Sequence, residues 1–438
     1  MIVKVIGAGL AGCEAAVQLA RRGFDVELHE MKPEKYSPAH KYPGFGELVC
    51  SNSLKAARPE SACGLLKEEM RRFGSVILEA ADKTKVPAGG ALAVNRTEFS
   101  DEITRIVTSY PNIRVINGEV TDLPTGNAVV CTGPLTSDAL AEKIREVCGE
   151  GLSFYDAAAP IVAADSIDFS KAFFQTRYDK GEADYVNCPM TREEYEAFYE
   201  ALITAESAPL KEFDRPEESN GLKVFEGCMP VEVLAKRGME SVRYGCMKPV
   251  GLTDPRSGKR PYAVVQLRKE NREGTMYNLV GFQTNLKFGE QKRVFSMIPG
   301  LENAEFVRYG VMHRNTFLDS PRLLDKWFML RGSDNLFFGG QITGVEGYVE
   351  SAASGIIAGR ALADRLSGRQ PLELPTTTML GALCSYISDP SVTDFQPMAS
   401  SMGILPPLDV RIKGKQERYS ALAQRALADL DKALSENE

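Results

Sequence analysis

A chain of 438 residues is too long for one ordinary core, because domains cluster at roughly 100–200 residues, so two or more domains are expected. Its 43% hydrophobic and 25% charged residues are those of a globular protein. No apolar run approaches the ~18–20 residues of a membrane span, and the first residues lead into a strand and glycine turn without a signal-peptide layout, so a cytoplasmic enzyme is expected. The formal charge of −7 excludes a generally basic nucleic-acid binder, but Lys236 to Arg293 carries 13 Lys and Arg against 5 Asp and Glu, which leaves −15 on the rest.

Ile2–Ile6 is a short apolar run rich in β-branched residues. It leads into Gly7-Ala-Gly9-Leu-Ala-Gly12 and then CEAAVQLARRG, whose apolar spacing and closing Gly23 predict a capped helix. A second strand, DVELHE, ends at Glu30. Strand, glycine turn, helix, strand and terminal acid together make the βαβ dinucleotide fingerprint, far more specific than the three glycines alone. Gly7, Gly9 and Gly12 let the backbone approach a pyrophosphate at the helix N-terminus, and Glu30 can accept from a ribose hydroxyl. A tight turn with no ligand would explain the glycines but not the parts around them.

In GELVCSNSLKA, Gly46 to Ala56, Ser51, Asn52 or Ser53 can each cap a short helix begun by SLKAA, with Pro59 and Glu60 opening the next. Cys50 would then stand at a helix N-terminus, where the dipole favours a thiolate. Cys13, Cys63 and Cys131 sit among apolar helix or strand residues and are expected in the core. The nine cysteines contain no CxxC pair and there are three histidines, which argues against a zinc ribbon, a disulfide framework and a His-rich centre; no metal is expected.

ALAVNRTEFSDEITRIV reads as strand into helix, and AVVCTGP as a strand ending at Gly133. Between Tyr155 and about Ser320 the pattern changes. Short strands (APIVAAD, YAVVQL, TMYNLVGF) accompany one acidic helical stretch, TREEYEAFYEALITAE. Cys228 lies in FEGCMPVE, where Gly227 and Pro230 imply a sharp turn that presents the thiol beside Glu226 and Glu232. The densest basic stretch, DPRSGKRPYAVVQLRKENREG, carries Arg256, Lys259, Arg260, Arg268, Lys269 and Arg272 in a hairpin-like pattern. A solvated, charge-balanced surface and a phosphate-binding face explain it equally well. From Asn335 a strand, a Gly-Gly-Gln turn with Gly340 and Gln341, and a long small-residue helix follow; the tail is an amphipathic helix that closes or packs.

The segments around Ala91, Ala128 and Asn335 resemble the FAD-contact segments of the two-dinucleotide-binding flavoproteins, with Gln341 where many of those have Asp. The fold expected is α/β: a Rossmann-type FAD-binding domain, discontinuous over 1–155 and 320–438, with an inserted α+β domain over 156–319 that binds tRNA or substrate.

VIGAGLAGCEAA, LHEMKPEKYSPAH, FGELVCSNSLK, FEGCMPVE, GLTDPRSGKRPYAVVQLR, NLVGFQTNLKFGEQKRVF, RYGVMHRNTF and FFGGQITGVEGYVESAASG together resemble the bacterial folate- and FAD-dependent tRNA (uracil-5-)-methyltransferases, the TrmFO family, which is related to the MnmG/GidA flavoproteins. The resemblance runs in order along nearly the whole chain. It implies that 5,10-methylenetetrahydrofolate supplies a methylene group to C5 of a T-loop uridine in tRNA, with FAD as the redox cofactor and NADPH or NADH as reductant. Uracil C5 becomes a nucleophile once a thiolate adds at C6, so the chemistry needs a cysteine. The resemblance singles out Cys228 and Cys50, one to add at C6 and the other to assist proton removal at C5 or guard the adduct, and Cys228 is taken as the nucleophile. It also implies His313 stacking on the pterin, Glu346 accepting from its amino groups, and Lys287, Lys292 and Arg293, with Arg256, Lys259 and Arg260, on tRNA phosphates. No membrane and no obligate protein partner are implied. The alternatives are a flavin-dependent modifier of wobble uridines, whose family is longer, and a non-catalytic flavin- and RNA-binding protein.

Overall fold

The computed structural model describes all residues except 150, 151, 158, 180–182, 209–228, 272, 311, 394 and 438, and the backbone alone of 152–157, 179 and 312–316. Five parallel strands form the first sheet, in the order Leu336–Phe338, Ala128–Val130, Ile2–Ile6, Asp25–Glu30 and Ile113–Asn117. Val3, Val5, Leu28 and Val129 are fully buried, as expected of parallel strands covered on both faces. Ile2–Ile6 lies at the centre, and the chain leaves it toward both edges. A crevice therefore opens at its C-terminal end, where the glycine turn begins.

Helix Leu10–Arg21 is buried over nearly its whole length beneath helix Tyr348–Leu366. A Cβ added at Gly355 would lie 2.1 Å from the carbonyl oxygen of Ala11, and one at Gly359 would lie 2.7 Å from Cα of Ala15. The two backbones touch with no side chain between them, which explains the run of small residues in the later helix.

A second sheet of six strands is antiparallel throughout, in the order Phe173–Phe174, Tyr185–Met190, Ala263–Lys269, Met276–Leu279, Ile161–Ala163 and Phe306–Arg308. Helix Arg192–Ile203, opened by a Thr191–Glu194 capping box, buries Tyr195, Phe198 and Leu202 in this second core. One core draws on residues 3–148 and 317–430, the other on 162–304. Strands Leu152–Ala157 and Met312–Phe317 pair antiparallel where the chain passes from one to the other and back. Among the described residues no helix is long and apolar enough to cross a membrane.

One expectation is overturned. SLKAA is not a helix: Ser53–Ala56 is a strand paired with Ala91–Val94, in a small sheet with Lys85–Val86. Two local bonds replace the predicted cap, Ser53 N–H to Ser51 Oγ at 3.2 Å and Lys55 N–H to Ser53 Oγ at 3.1 Å. Such hydroxyl turns compete with helix formation, and the amide of Asn52 is spent on the carbonyl of Val94 at 3.1 Å. Cys50 therefore has no helix dipole behind it. The following helix starts at Ala62, capped by Ser61 rather than opened by Pro59 and Glu60. Cys13, Cys63 and Cys131 are buried, as expected.

Glu69 accepts from the N–H groups of Met379 and Leu380 at 2.7 and 2.8 Å, capping helix Met379–Ser388 from inside the first core. Burial pushes its carboxyl up to about 8, against the lowering effect of those two bonds. The folded chain holds this proton where the unfolded chain has lost it. Its stabilising contribution is thus complete below about pH 4.5 and disappears as pH rises through about 8. Between pH 6 and 8 the loss amounts to about 2 kcal/mol. Thermal denaturation is expected to show Tm falling over that interval, and Glu69→Gln, which cannot ionise, should flatten the slope; an unchanged slope in the variant would refute the assignment.

Candidate active site

A cleft opens at the C-terminal ends of the parallel strands, lined by Gly7–Ala11, Glu30, Thr132–Ser137, Gly340, Gln341 and Tyr348. Its glycines differ in role. Gly7, at φ +97°, has no room for a side chain, since a Cβ would lie 2.7 Å from the carbonyl oxygen of Cys131, and one at Gly12 would lie 1.7 Å from that of Gly7. Gly9 faces open space, with nothing within 4 Å of a Cβ built there. A side chain at Gly9 would fill the ground in front of the first N–H groups of helix Leu10–Arg21, which lack intrahelical partners and suit an anion.

Glu30 is pinned at the edge of the cleft. Its Oε2 accepts from the Ala8 N–H at 2.8 Å and its Oε1 from the Lys32 N–H at 3.0 Å. Gly133 and Gly340 both hold left-handed φ values, +70° and +86°, on the opposite wall. All seven residues expected at a dinucleotide line or shape this one cleft, and an extended dinucleotide fits the open cradle at Gly9. From Gln341 the amide Nε2 donates to Oε2 of the buried Glu346 at 2.6 Å, which links the two residues expected at flavin and pterin.

Sequence patterns did not single out Lys32, His40, Glu47 or Tyr348, all of which line the cleft. Lys32 Nζ donates to the carbonyls of Tyr42 and Gly44 at 3.1 and 2.6 Å, drawing the loop after the second strand over the opening. Burial, and then the charge of Lys32, holds the His40 imidazole below its usual value. The only sequence signal for Lys32, His40 and Glu47 was their density in HEMKPEKYSPAHKYPGFGE, a polar loop where a connection of a few residues would have sufficed.

Cys50 is half-buried and is not itself part of the cleft wall, but its neighbours Val49 and Tyr348 are. The N–H groups of Cys50 and Ser51 donate to the Tyr348 hydroxyl oxygen at 2.7 and 3.1 Å. Two guanidiniums flank the same turn. Arg96 donates to the carbonyl of Leu48 at 2.5 Å and of Cys50 at 3.4 Å, and Arg308 to that of Val49. Burial opposes the charge of Arg96, and the carboxylate of Glu270 more than offsets it, so the guanidinium sits above its usual value. Arg308 is pushed down by burial and then by the charge of Arg96.

Cys228 and Arg272 fall outside the described residues, as does the side chain of His313, whose backbone pairs with Asp156. Lys259, Arg260 and Lys292 are exposed. Arg256 is paired with Asp254 at 2.9 Å, Lys287 with Glu206 at 2.5 Å and Arg293 with Glu290 at 2.6 Å. Arg268 departs from the expected basic surface. It is 6% exposed, and its guanidinium donates inward to Asn52 Oδ1 at 3.0 Å and Ser51 Oγ at 2.7 Å. Strand Ala263–Lys269 is buried on both faces through Arg268, so the guanidinium is held inside and is met there by the polar turn of Ser51 and Asn52.

The family model described as "Glucose inhibited division protein A" matches residues 2–370. The chain is 57% identical to the methylenetetrahydrofolate--tRNA-(uracil-5-)-methyltransferase TrmFO of Bacillus cytotoxicus over 97% of both chains. It is also 57% identical to the protein of the same name from Heliobacterium modesticaldum, over 100% of this chain and 99% of that one. Among solved structures, GidA of Aquifex aeolicus in its form II crystal superposes with a TM-score of 0.70 at 17% identity, covering 98% of this chain and 73% of that one.

Proposed function

We infer, because this chain belongs to the glucose inhibited division protein A family and within it to the folate-dependent tRNA (uracil-5-)-methyltransferases, that it methylates C5 of a uridine in the tRNA T-loop, in the cytoplasm, using NADPH or NADH as reductant. The methylene donor is 5,10-methylenetetrahydrofolate and the resident cofactor is FAD. The observation that carries the proposal is a thiol-bearing turn bonded through Tyr348 to the wall of a dinucleotide cleft.

Gly7, Gly9, Gly12, Glu30, Gly133, Gly340 and Gln341 would hold FAD, with the pyrophosphate in the cradle at Gly9. Bound there, FAD supplies the redox chemistry that turns a methylene into a methyl group. His313 would stack on the pterin, and Glu346, steadied by Gln341, would accept from its amino groups. The thiolate of Cys228 would add to C6 of the uracil, making C5 an enolate carbon able to attack the one-carbon unit. Cys50, on the cleft side, would take the C5 proton or shield the reacting carbon until the base arrives. Lys259, Arg260 and Lys292 offer exposed charge to tRNA phosphates, and Arg256, Lys287 and Arg293 would exchange their present carboxylates for them. The T-loop base would have to leave its stack to reach the cleft, at a cost of a few kcal/mol. We place the dinucleotide unit at 1–155 and 320–438 and the RNA-facing unit at 156–319.

The test is a mass-spectrometric assay of unmodified tRNA incubated with the flavin-bound protein, NADPH and folate deuterated on its methylene carbon. The expected result is a labelled methyl group on one T-loop uridine. Label on a wobble uridine, or none despite tight tRNA binding, would overturn the assignment.

A further inference from the structure

Leu48–Asn52 belongs to no helix or strand, yet side chains hold it from every direction. Arg96 and Arg308 take the carbonyls of Leu48, Val49 and Cys50, Tyr348 takes two N–H groups, and Arg268 takes the side-chain oxygens of Ser51 and Asn52. The Asn52 amide closes the set, donating to the main-chain oxygens of Lys269 at 3.0 Å and Glu270 at 3.3 Å. Asn52 itself is 0% exposed.

What matters is where these partners come from. Arg268 and Lys269 lie on strand Ala263–Lys269 and Arg308 on strand Phe306–Arg308, both in the antiparallel sheet. Glu270 follows directly and forms the buried ion pair that holds Arg96. The turn belongs in sequence to the dinucleotide fold, but its anchors come from both units: Arg96, Tyr348 and Val94 from that fold, Arg268, Lys269 and Arg308 from the antiparallel sheet. Guanidinium forks suit this task, since each presents several donors in a fixed plane and charge-assisted bonds tolerate little misalignment.

The geometry points to Arg268 and Arg308 as positioning residues for Cys50: through the residues on either side of it, the antiparallel sheet joins Arg96 and Tyr348 in setting where this thiol stands beside the cleft. A shift of the antiparallel sheet as RNA seats on it would be passed to the thiol through these bonds. The inference deepens the role proposed for Cys50 and rests on that proposal for its catalytic consequence.

The test uses the full-length, flavin-bound protein. Alkylation of Cys50 by iodoacetamide is timed by peptide mass spectrometry, with the buried Cys63 as internal reference, beside steady-state methylation. In Arg308→Ala the alkylation rate is expected to change by about fivefold or more and kcat to fall by about tenfold or more, with KM for tRNA nearly unchanged. Arg308→Lys, which can still reach the Val49 carbonyl, should restore most of both. Ser51→Ala removes one hydroxyl from the grip of Arg268 and decides the matter alone if Arg308→Ala does not fold; its alkylation rate should move in the same direction. Wild-type alkylation rates in both variants, or lost methylation with alkylation unmoved, would overturn the inference. Shifted alkylation in a protein whose wild type does not methylate tRNA would uphold the positioning and sink the proposed function instead.

Discussion

Cys50→Ala and Cys228→Ala, made separately, are each expected to lower tRNA methylation by about a thousandfold or more while leaving bound flavin and RNA affinity close to wild type. The size follows from the substrate. Carbon 5 of a uracil in its resting state has too little electron density to attack a one-carbon unit, and no charge placed nearby substitutes for a covalent bond at C6. The folded state should tolerate the Cys50 change, because the turn is held through Leu48, Val49, Ser51, Asn52 and the main chain of Cys50, none of which needs the sulfur. The two thiols are proposed to serve one sequence of steps, so the double variant should be little worse than the poorer single one. Single-turnover methylation with radiolabelled folate is the measurement, and undiminished activity in both variants would end the covalent mechanism.

Gly355→Val is expected to prevent the first core from forming, with a loss of about 4 kcal/mol or more. The Cβ alone would sit 2.1 Å from the Ala11 carbonyl oxygen, and 2.7 Å from its Cα, so relief requires helix Tyr348–Leu366 to lift off helix Leu10–Arg21. Lifting it opens the floor beneath the glycine turn, so flavin should be lost along with stability. Gly359→Val, one turn on, meets Ala15 in the same way at 2.7 Å. Gly368→Ala is the control. Its φ of +70° imposes strain, but nothing lies within 4 Å, and a cost of only about 1 kcal/mol is expected. Thermal melts and the flavin content of the purified variants separate these cases; a Gly355→Val protein that melts like wild type with full flavin would show that the close helix contact does not matter.

The dinucleotide fold was legible because its signal is local. Strand, glycine turn, helix and acid fall within the first thirty residues, and in that turn Gly7 and Gly12 answer to backbone contacts while Gly9 keeps the cradle open. The Gly-Gly-Gln turn and the helix within TREEYEAFYEALITAE were legible for the same reason. The surroundings of Cys50 were not. Ser51, Asn52 and Ser53 carry the composition of a helix cap, and nothing nearby in sequence announces that Ala91–Val94 would pair with the segment or that Arg268 would bond there from more than two hundred residues away. Arg268 misled for the complementary reason: its charge belonged by composition to a basic surface, and only the pairing of strand Ala263–Lys269 turned it inward. Tyr348 went unnoticed because a tyrosine opening a helix of small residues has no pattern of its own.

The close contact of Gly355 and Gly359 with Ala11 and Ala15 also bears on how the protein is made. The first strands to leave the ribosome cannot bury their helix until the chain has been extended past residue 359, and the edge strand Leu336–Phe338 is equally late. At about 5–20 residues per second the amino-terminal unit waits roughly half a minute for its cover. The antiparallel sheet, whose strands all fall between Ile161 and Arg308, has its full set of partners well before then. Birth order and folding order are thus reversed: the middle of the chain can close first, and the part synthesised earliest stays open longest, exposing its Val- and Ile-rich strands to chaperones and to neighbouring nascent chains.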